Sequence, residues 1–325
     1  MNGNRQLAAT GPAGTAAGRE IEELVRGLDS LLDGDAVEAQ LIALGPRAIP
    51  AVKSFLFLGK PRVVYQPRLR AVEILGTVGA KDVLVEYLTA KKNIPDPAVR
   101  MAEEAVENAA ARELAKWRTP DVLDILIRFA FPRLRSGIIE ALGQFRAPEA
   151  IAYFLQALED DVCRDAAEAA LRAFGPEAEL ELIAAARREL PSADEERPSS
   201  LRRRRAALSL LVELRPSATS WPMLKPLMGS PDPALVVSAV QIAVVAGSRE
   251  EKIAAVDCLL RVLPDADWYL HGEIQNCLSN LYAEGRARID AMITERAAMP
   301  KTLQVTDSVL ATLLAVRRRN QGATS

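Results

Sequence analysis

Few residues in this chain are of a type and spacing that could do chemistry. There is one histidine, His271, within Asp267-Trp-Tyr-Leu-His-Gly-Glu273. A single imidazole excludes a poly-histidine metal site and forces any nucleophile–base pair to converge on that residue. Its place near a predicted helix start suits an exposed or capping role. The three cysteines, Cys163, Cys258 and Cys277, are scattered with no CxxC pair, a pattern that suggests neither zinc nor a disulfide framework. All three fall in predicted helices, where a thiol acts as a small buried hydrophobe. The glycines between Gly11 and Gly18 lack the Gly-Lys-Ser/Thr ending of a phosphate loop and follow no strand, so they read as a flexible tail. Glu103-Glu104, Asp160-Asp161 and Asp194-Glu195-Glu196 are acidic without a defined partner spacing, as expected of solvated helix faces and helix starts. No catalytic, cofactor-binding or metal-ligating residue is predicted, and no cofactor.

Charge narrows the partners. The chain has 41 basic and 43 acidic residues and a formal net charge of -2, which supplies no global field for a polyanion or a membrane surface. Arg202 to Arg205 and Arg317 to Arg319 are local basic runs. Four consecutive helical residues point around the whole circumference, so the first run cannot form one anion-binding face. Nucleic-acid binding is therefore disfavoured, because it needs cations repeated along one surface. No stretch nears the ~18 apolar residues of a membrane span, and the first residues lack the apolar run of a signal peptide. A cytoplasmic protein is expected.

The elements that would position a site are helices written in repeats. Arg68-Leu-Arg-Ala-Val-Glu-Ile-Leu75-Gly76 returns as Arg135-Ser-Gly-Ile-Ile-Glu-Ala-Leu142-Gly143 and as Arg164-Asp-Ala-Ala-Glu-Ala-Ala-Leu171, with weaker copies at Arg100 and Arg204. Steps of roughly 30 to 40 residues mean stacked helical units. Hydrophobic residues make up 49% of the chain and aromatics only 5%, so the core must be built from Ala, Leu, Val and Ile. Proline marks helix starts at Gly45-Pro46, Asp96-Pro97, Thr119-Pro120, Ala147-Pro148, Gly175-Pro176 and Asp232-Pro233, and Asp or Thr there can cap free amides. About eight antiparallel helix pairs follow, over 19–59, 62–92, 96–130, 132–158, 160–190, 199–229, 231–263 and 265–299. In the first, Leu24, Leu28, Leu31 and Leu32 form an apolar stripe. Residues 1–18 are expected to be a disordered tail, 191–200 a polar loop that either lengthens a connection or acts as a hinge, and 300–325 a capping helix, from Val305 to Arg318, and tail.

The Arg-x-x-Ala-x-x-x-Leu-Gly phrase, with second helices such as Ala147-Pro-Glu-Ala-Ile-Ala-Tyr-Phe-Leu155, resembles HEAT repeats, in particular the short HEAT-like variety first described in phycobilisome lyases. The resemblance runs over about residues 35–300 and is strongest over 61–190. It implies an all-α solenoid of HEAT-like pairs forming a curved superhelix, with Arg68, Arg100, Arg135, Arg164 and Arg204 as structural repeat arginines and Asp161 as the acid preceding one of them. Val37, Val236 and Ile274 replace the arginine in terminal units. Tetratricopeptide and ankyrin signatures are missing, and the repeated His-Glu pairs of di-iron HEAT-like hydroxylases are absent. In such arrays the second helices line the concave face; here they carry Glu86, Glu149, Glu177, Glu179, Glu181 and Asp257, a mixed or acidic set that disfavours a HEAT-like DNA repair role.

The expected function is a non-enzymatic scaffold or adaptor whose groove binds a protein partner, with Tyr87, Tyr153, Phe154, Trp221 and Met223 as candidate partner-binding residues and Met228 beside them. A lyase-like or chaperone-lyase subunit acting on a chromophore-bearing protein is the alternative that the resemblance implies. Phe55 and Phe57, two apart, cannot share one helix face, so one is expected at the surface.

Overall fold

The computed structural model describes residues 16–30, 32–131, 133–191, 195–300, 304 and 306–321. Its helices are α1 (Ala16–Gly27), α2 (Gly34–Ala43), α3 (Ile49–Leu58), α4 (Gln66–Thr77), α5 (Lys81–Thr89), α6 (Pro97–Ala115), α7 (Pro120–Ala130), α8 (Ser136–Phe145), α9 (Ile151–Ala157), α10 (Arg164–Phe174), α11 (Glu179–Arg187), α12 (Pro198–Leu214), α13 (Trp221–Leu224), α14 (Pro233–Ala246), α15 (Arg249–Val262), α16 (Trp268–Asn280), α17 (Tyr282–Ala297) and α18 (Ser308–Gln321). Among the described residues there is no strand, only an isolated bridge between Pro191 and Glu196. From α2 to α17 the helices alternate as first and second members of eight pairs, so the fold is an all-α array of HEAT-like repeats.

Contacts divide the chain into two compact units, Met1–Tyr153 and Phe154–Ser325, with the boundary inside α9. In the first unit α2, α4, α6 and α8 pack side by side as a row, and α3, α5 and α7 form the second layer. In the second unit α10, α12, α14, α16 and α18 form the corresponding row, backed by α11, α13, α15 and α17. Each helix hides its apolar stripe against neighbours one repeat away, which is how a quasi-one-dimensional array makes a core.

Local chemistry sets the helix ends. Asp96 accepts from the amides of Ala98 and Val99, Asp232 from Leu235, and Asp267 from Leu270. Ser248 and Glu251 form a reciprocal capping box at the start of α15. Thr119 caps nothing with its side chain; its hydroxyl accepts from Lys81 Nζ at 3.3 Å instead. Gly45 and Gly175 hold φ of +58° and +64° where a first helix turns sharply into its partner, a conformation only glycine adopts without strain.

The phrase leucines Leu75, Leu142 and Leu171 are all buried. Several sequence expectations need correction. The first helix begins at Ala16, inside the expected tail; it buries Ile21 and Val25, and Leu28 is buried just past its end. Leu24 is half-buried and Leu32, beyond the helix end, is almost fully exposed; Leu31 lies outside the described residues. Cys163 is the residue preceding α10, not a helical one. The last helix runs from Ser308 to Gln321, shifted from 305–318 because Asp307 caps it through the amide of Leu310; Val305 is outside the described residues, as are 1–15 and 192–194.

Candidate functional site

The repeat arginines occupy more than one environment. Arg68, on α4, is buried and donates through Nη1 to the carbonyls of Leu56 and Gly59 at 2.7 and 3.0 Å, closing the exposed end of α3. Its Nε and Nη2 grip Glu103 of α6 at 3.0 and 2.9 Å. Arg204 repeats this in the second unit, reaching the Ala186 carbonyl at the end of α11 at 2.8 Å and Glu196 at 2.5 Å. Arg70 and Arg261, which the phrase does not mark, also close helix ends, through Leu28, Ser30, Met228 and Ser230 carbonyls. The helix C-terminus leaves carbonyls unpaired, and a guanidinium fork from the next pair satisfies them. Arg164 instead pairs with Asp161 at 2.5 Å, the acid that the family resemblance sets before it. Arg100 departs from the expected structural role, while Arg135 keeps an inter-repeat contact, its Nη1 lying 3.3 Å from Glu107 of α6. Arg100 is exposed, because α6 turns Glu103 inward at the position where it meets Arg68, and Arg135 lies just before α8 rather than within it.

Glu103 is the centre of a network that sequence reasoning missed. It is 3% exposed and accepts from Arg68 and from the Tyr87 hydroxyl, with Lys92 Nζ 3.1 Å away. Burial alone would raise its pKa, but the Arg68 hydrogen bonds, Lys92 and Tyr87 outweigh that and hold it below the ordinary carboxylate value. Burial pushes the Tyr87 phenol far up, and Glu103 adds to the shift. Lys92 Nζ also sits 3.4 Å from the Tyr87 ring centroid. Only the inward register of α6, invisible in the run Glu103-Glu104, separates this buried acid from its half-exposed neighbour, which pairs with Arg133.

The aromatic anchors expected on the second helices are core. Tyr87, Tyr153, Phe154 and Trp221 are all 3% exposed or less. Tyr153 donates to the Arg133 carbonyl and accepts from the Arg135 amide, fixing the α7–α8 connection, while Phe154 packs edge-on against Phe174. None of these four can anchor a partner, because a chain poor in aromatics uses its few rings to fill gaps between small side chains. Met223 is half-buried and Met228 buried. Phe55 and Phe57 are both half-buried rather than split between core and surface, and Phe57 packs edge-on against Tyr87.

Large apolar side chains are exposed elsewhere. In the first unit Leu58, Val63 and Val64 lie at the α3–α4 connection and Phe131 at the α7–α8 connection. In the second unit Val162 lies before α10, and Trp268 and Tyr269 open α16, Trp268 being 86% exposed. These are junctions between pairs, which share one edge of each stack because every second helix runs back to where the next first helix begins. The same edge of the first unit holds a cavity of about 460 Å³ between the α5–α6 connection and the starts of α6 and α8. Lys92, Arg100, Arg133, Arg135, Glu103, Glu104 and Glu107 line it with Phe129, whose ring lies 4.5 Å from the Arg135 guanidinium. Arg135 Nη1 is 3.3 Å from Glu107, yet neither Nη1 nor Nε meets a hydrogen-bond acceptor. Leaving such a donor unmet costs about 1–3 kcal/mol.

Two layers of paired helices, bound by arginines one repeat apart, are the geometry in which a family comparison has meaning. Residues 102–172 match the family model for HEAT repeats. The match begins in α6 and ends in α10, within the stretch where the arginine phrase is clearest, and supports a HEAT repeat protein. No curated protein matches the chain.

The remaining reactive types are engaged in the scaffold. His271 Nδ1 lies 2.9 Å from the Thr312 hydroxyl, joining α16 to α18. Burial, with Asp160 nearby, pushes the Cys163 thiol up to about 12, and burial with Glu273 does the same for Cys277, so neither is a thiolate nucleophile at neutral pH. Arg202 and Arg203 bond Glu159, Arg204 bonds Glu196 and Arg205 bonds Asp232. Asp160 caps the turn before α10 by accepting from the amides of Val162 and Cys163. Among the described residues no group of three or more His, Cys, Asp and Glu side chains is placed to hold a metal ion, and no single helix is long and apolar enough to cross a membrane.

Proposed function

We propose that the protein is a non-enzymatic scaffold or adaptor of the short HEAT-like variety, binding a protein partner at the connections between helix pairs that form one edge of each unit. One observation carries this reading: among the described residues, seven of the twelve large exposed apolar side chains lie at those connections, Leu58, Val63, Val64 and Phe131 in one unit and Val162, Trp268 and Tyr269 in the other, whereas Met101, Leu180 and Val245 stand singly on helices. Exposed apolar surface is retained where something covers it, and exposed Trp and Tyr are the side chains that most often dominate binding. The engaged His271, the protonated thiols and the paired arginine run support a binding role over a catalytic or nucleic-acid one.

Affinity capture with the full chain and with Val64→Asp, Trp268→Asp and Leu180→Asp tests this. Leu180 is exposed on α11, away from the connections. A stoichiometric partner retained by wild type and Leu180→Asp, and lost with Val64→Asp or Trp268→Asp, is expected. Retention by both edge variants would place recognition elsewhere.

A further inference from the structure

We propose that the charged cavity of the first unit is a receptor for a phosphoryl dianion carried as a phosphate monoester. Its volume, about 460 Å³, lies in the range that accepts small ligands. Its three carboxylates already have cations: Arg68 grips Glu103 from behind the wall, Arg133 holds Glu104, and Lys92 and Arg135 share Glu107 at 3.0 and 3.3 Å. With Arg68 included, Lys92, Arg100, Arg133 and Arg135 leave a surplus of two positive charges, in a chain whose formal net charge is -2. A carboxylate would neutralise half of that surplus; a dianion neutralises it all.

Two side chains point to where the charge goes. Arg100 is exposed and makes no ion pair among the described residues. Arg135 also lines the cavity; its Nε and Nη1 are shielded from solvent and without an acceptor, so they meet a ligand only if the guanidinium turns toward the cavity. A guanidinium presents parallel donors that fit two phosphate oxygens at once. The cavity also has an apolar side, Ala90, Ile94 and the Phe129 ring, which suits the organic part of an ester. The site requires no second protein and stands independently of the scaffold reading, so each can fail alone.

Calorimetric titration of the full chain at fixed ionic strength, with O-phosphoserine, inorganic phosphate, serine and a phosphoserine-containing peptide, tests the proposal. Saturable binding of phosphoserine and phosphate, but not serine, is expected. Arg100→Glu, at an exposed side chain without an ion-pair partner, should fold normally and bind about ten-fold more weakly or worse, while Arg318→Glu, an exposed change in the other unit, should match wild type. Equal affinity for phosphoserine and the peptide identifies a free small ester as the source; tighter peptide binding identifies a phosphorylated side chain. No saturable heat from either phosphoserine or the peptide, or wild-type affinity in Arg100→Glu, overturns it.

Discussion

Glu103 shows how a single side chain can serve two neighbouring repeats at once. Its carboxylate, buried beside Arg68, Lys92 and Tyr87, ties α6 to α4 and to the end of α5. Removing its charge leaves Arg68 buried without its counterion, so Glu103→Gln should cost about 3–5 kcal/mol, measured by chemical denaturation. The pH dependence has a definite sign. Glu103 has a folded pKa below the ordinary 4.5, so its stabilisation is complete above that value and is lost as pH falls below it through the folded pKa. Thermal melts of wild type should show this acid loss, and Glu103→Gln should lack that component. Glu73 behaves oppositely: burial and the neighbouring Glu113 raise its pKa. Its charge therefore destabilises the fold at neutral pH, and the effect is relieved on acidification. Glu73→Gln should raise the melting temperature at pH 7 and give no gain in acid.

Between elements, close approach and polar ladders fix the register. Gly137 of α8 lies against α6 so tightly that an added Cβ would sit 2.5 Å from the Asn108 carbonyl oxygen, a backbone atom that cannot swing aside. Gly137→Ala should therefore cost about 1–3 kcal/mol despite alanine's better helix propensity, and a denaturant midpoint unchanged or raised would contradict the crossing. Along the first-helix rows, Arg70 meets Asp35, Arg112 meets Glu140, Arg172 meets Glu213 and Gln241 meets Glu273, each one repeat apart. The three exposed ion pairs contribute about 0–1 kcal/mol each, and the part-buried Gln241–Glu273 hydrogen bond about 0.5–1.5 kcal/mol; their effect is to penalise a slipped stack. Leu142, 1% exposed in α8, contributes through packing, and Leu142→Ala should cost about 2–5 kcal/mol.

For the molecule as a whole, each helix contacts neighbours one repeat away, so stability is a sum of local and nearest-neighbour terms. Gly137→Ala and Leu142→Ala lie in the first unit, Met1–Tyr153. Hydrogen exchange should speed up in α6 and α8 of these variants and stay at wild-type rates in α14 and α15; uniform acceleration would mean one cooperative block. His271→Ala removes one hydrogen bond between α16 and α18 and should cost about 0.5–1.5 kcal/mol while leaving partner binding unchanged.

The sequence alone determined that the chain is helical, built of HEAT-like pairs, and that the phrase leucines Leu75, Leu142 and Leu171 face inward, because helical periodicity, Gly-Pro turns and Asp caps are local signals that act within a few residues. Tertiary structure decided the rest. Arg68 and Arg100 look alike in the repeat phrase, yet one seals a helix end and the other stands exposed at a cavity; Glu103 and Glu104 are adjacent, yet one is buried. Tyr87, Tyr153, Phe154 and Trp221 read as surface anchors and are core. What separates them is the rotation of each helix against neighbours some thirty residues away, and no local pattern encodes which side of a helix the next repeat will cover.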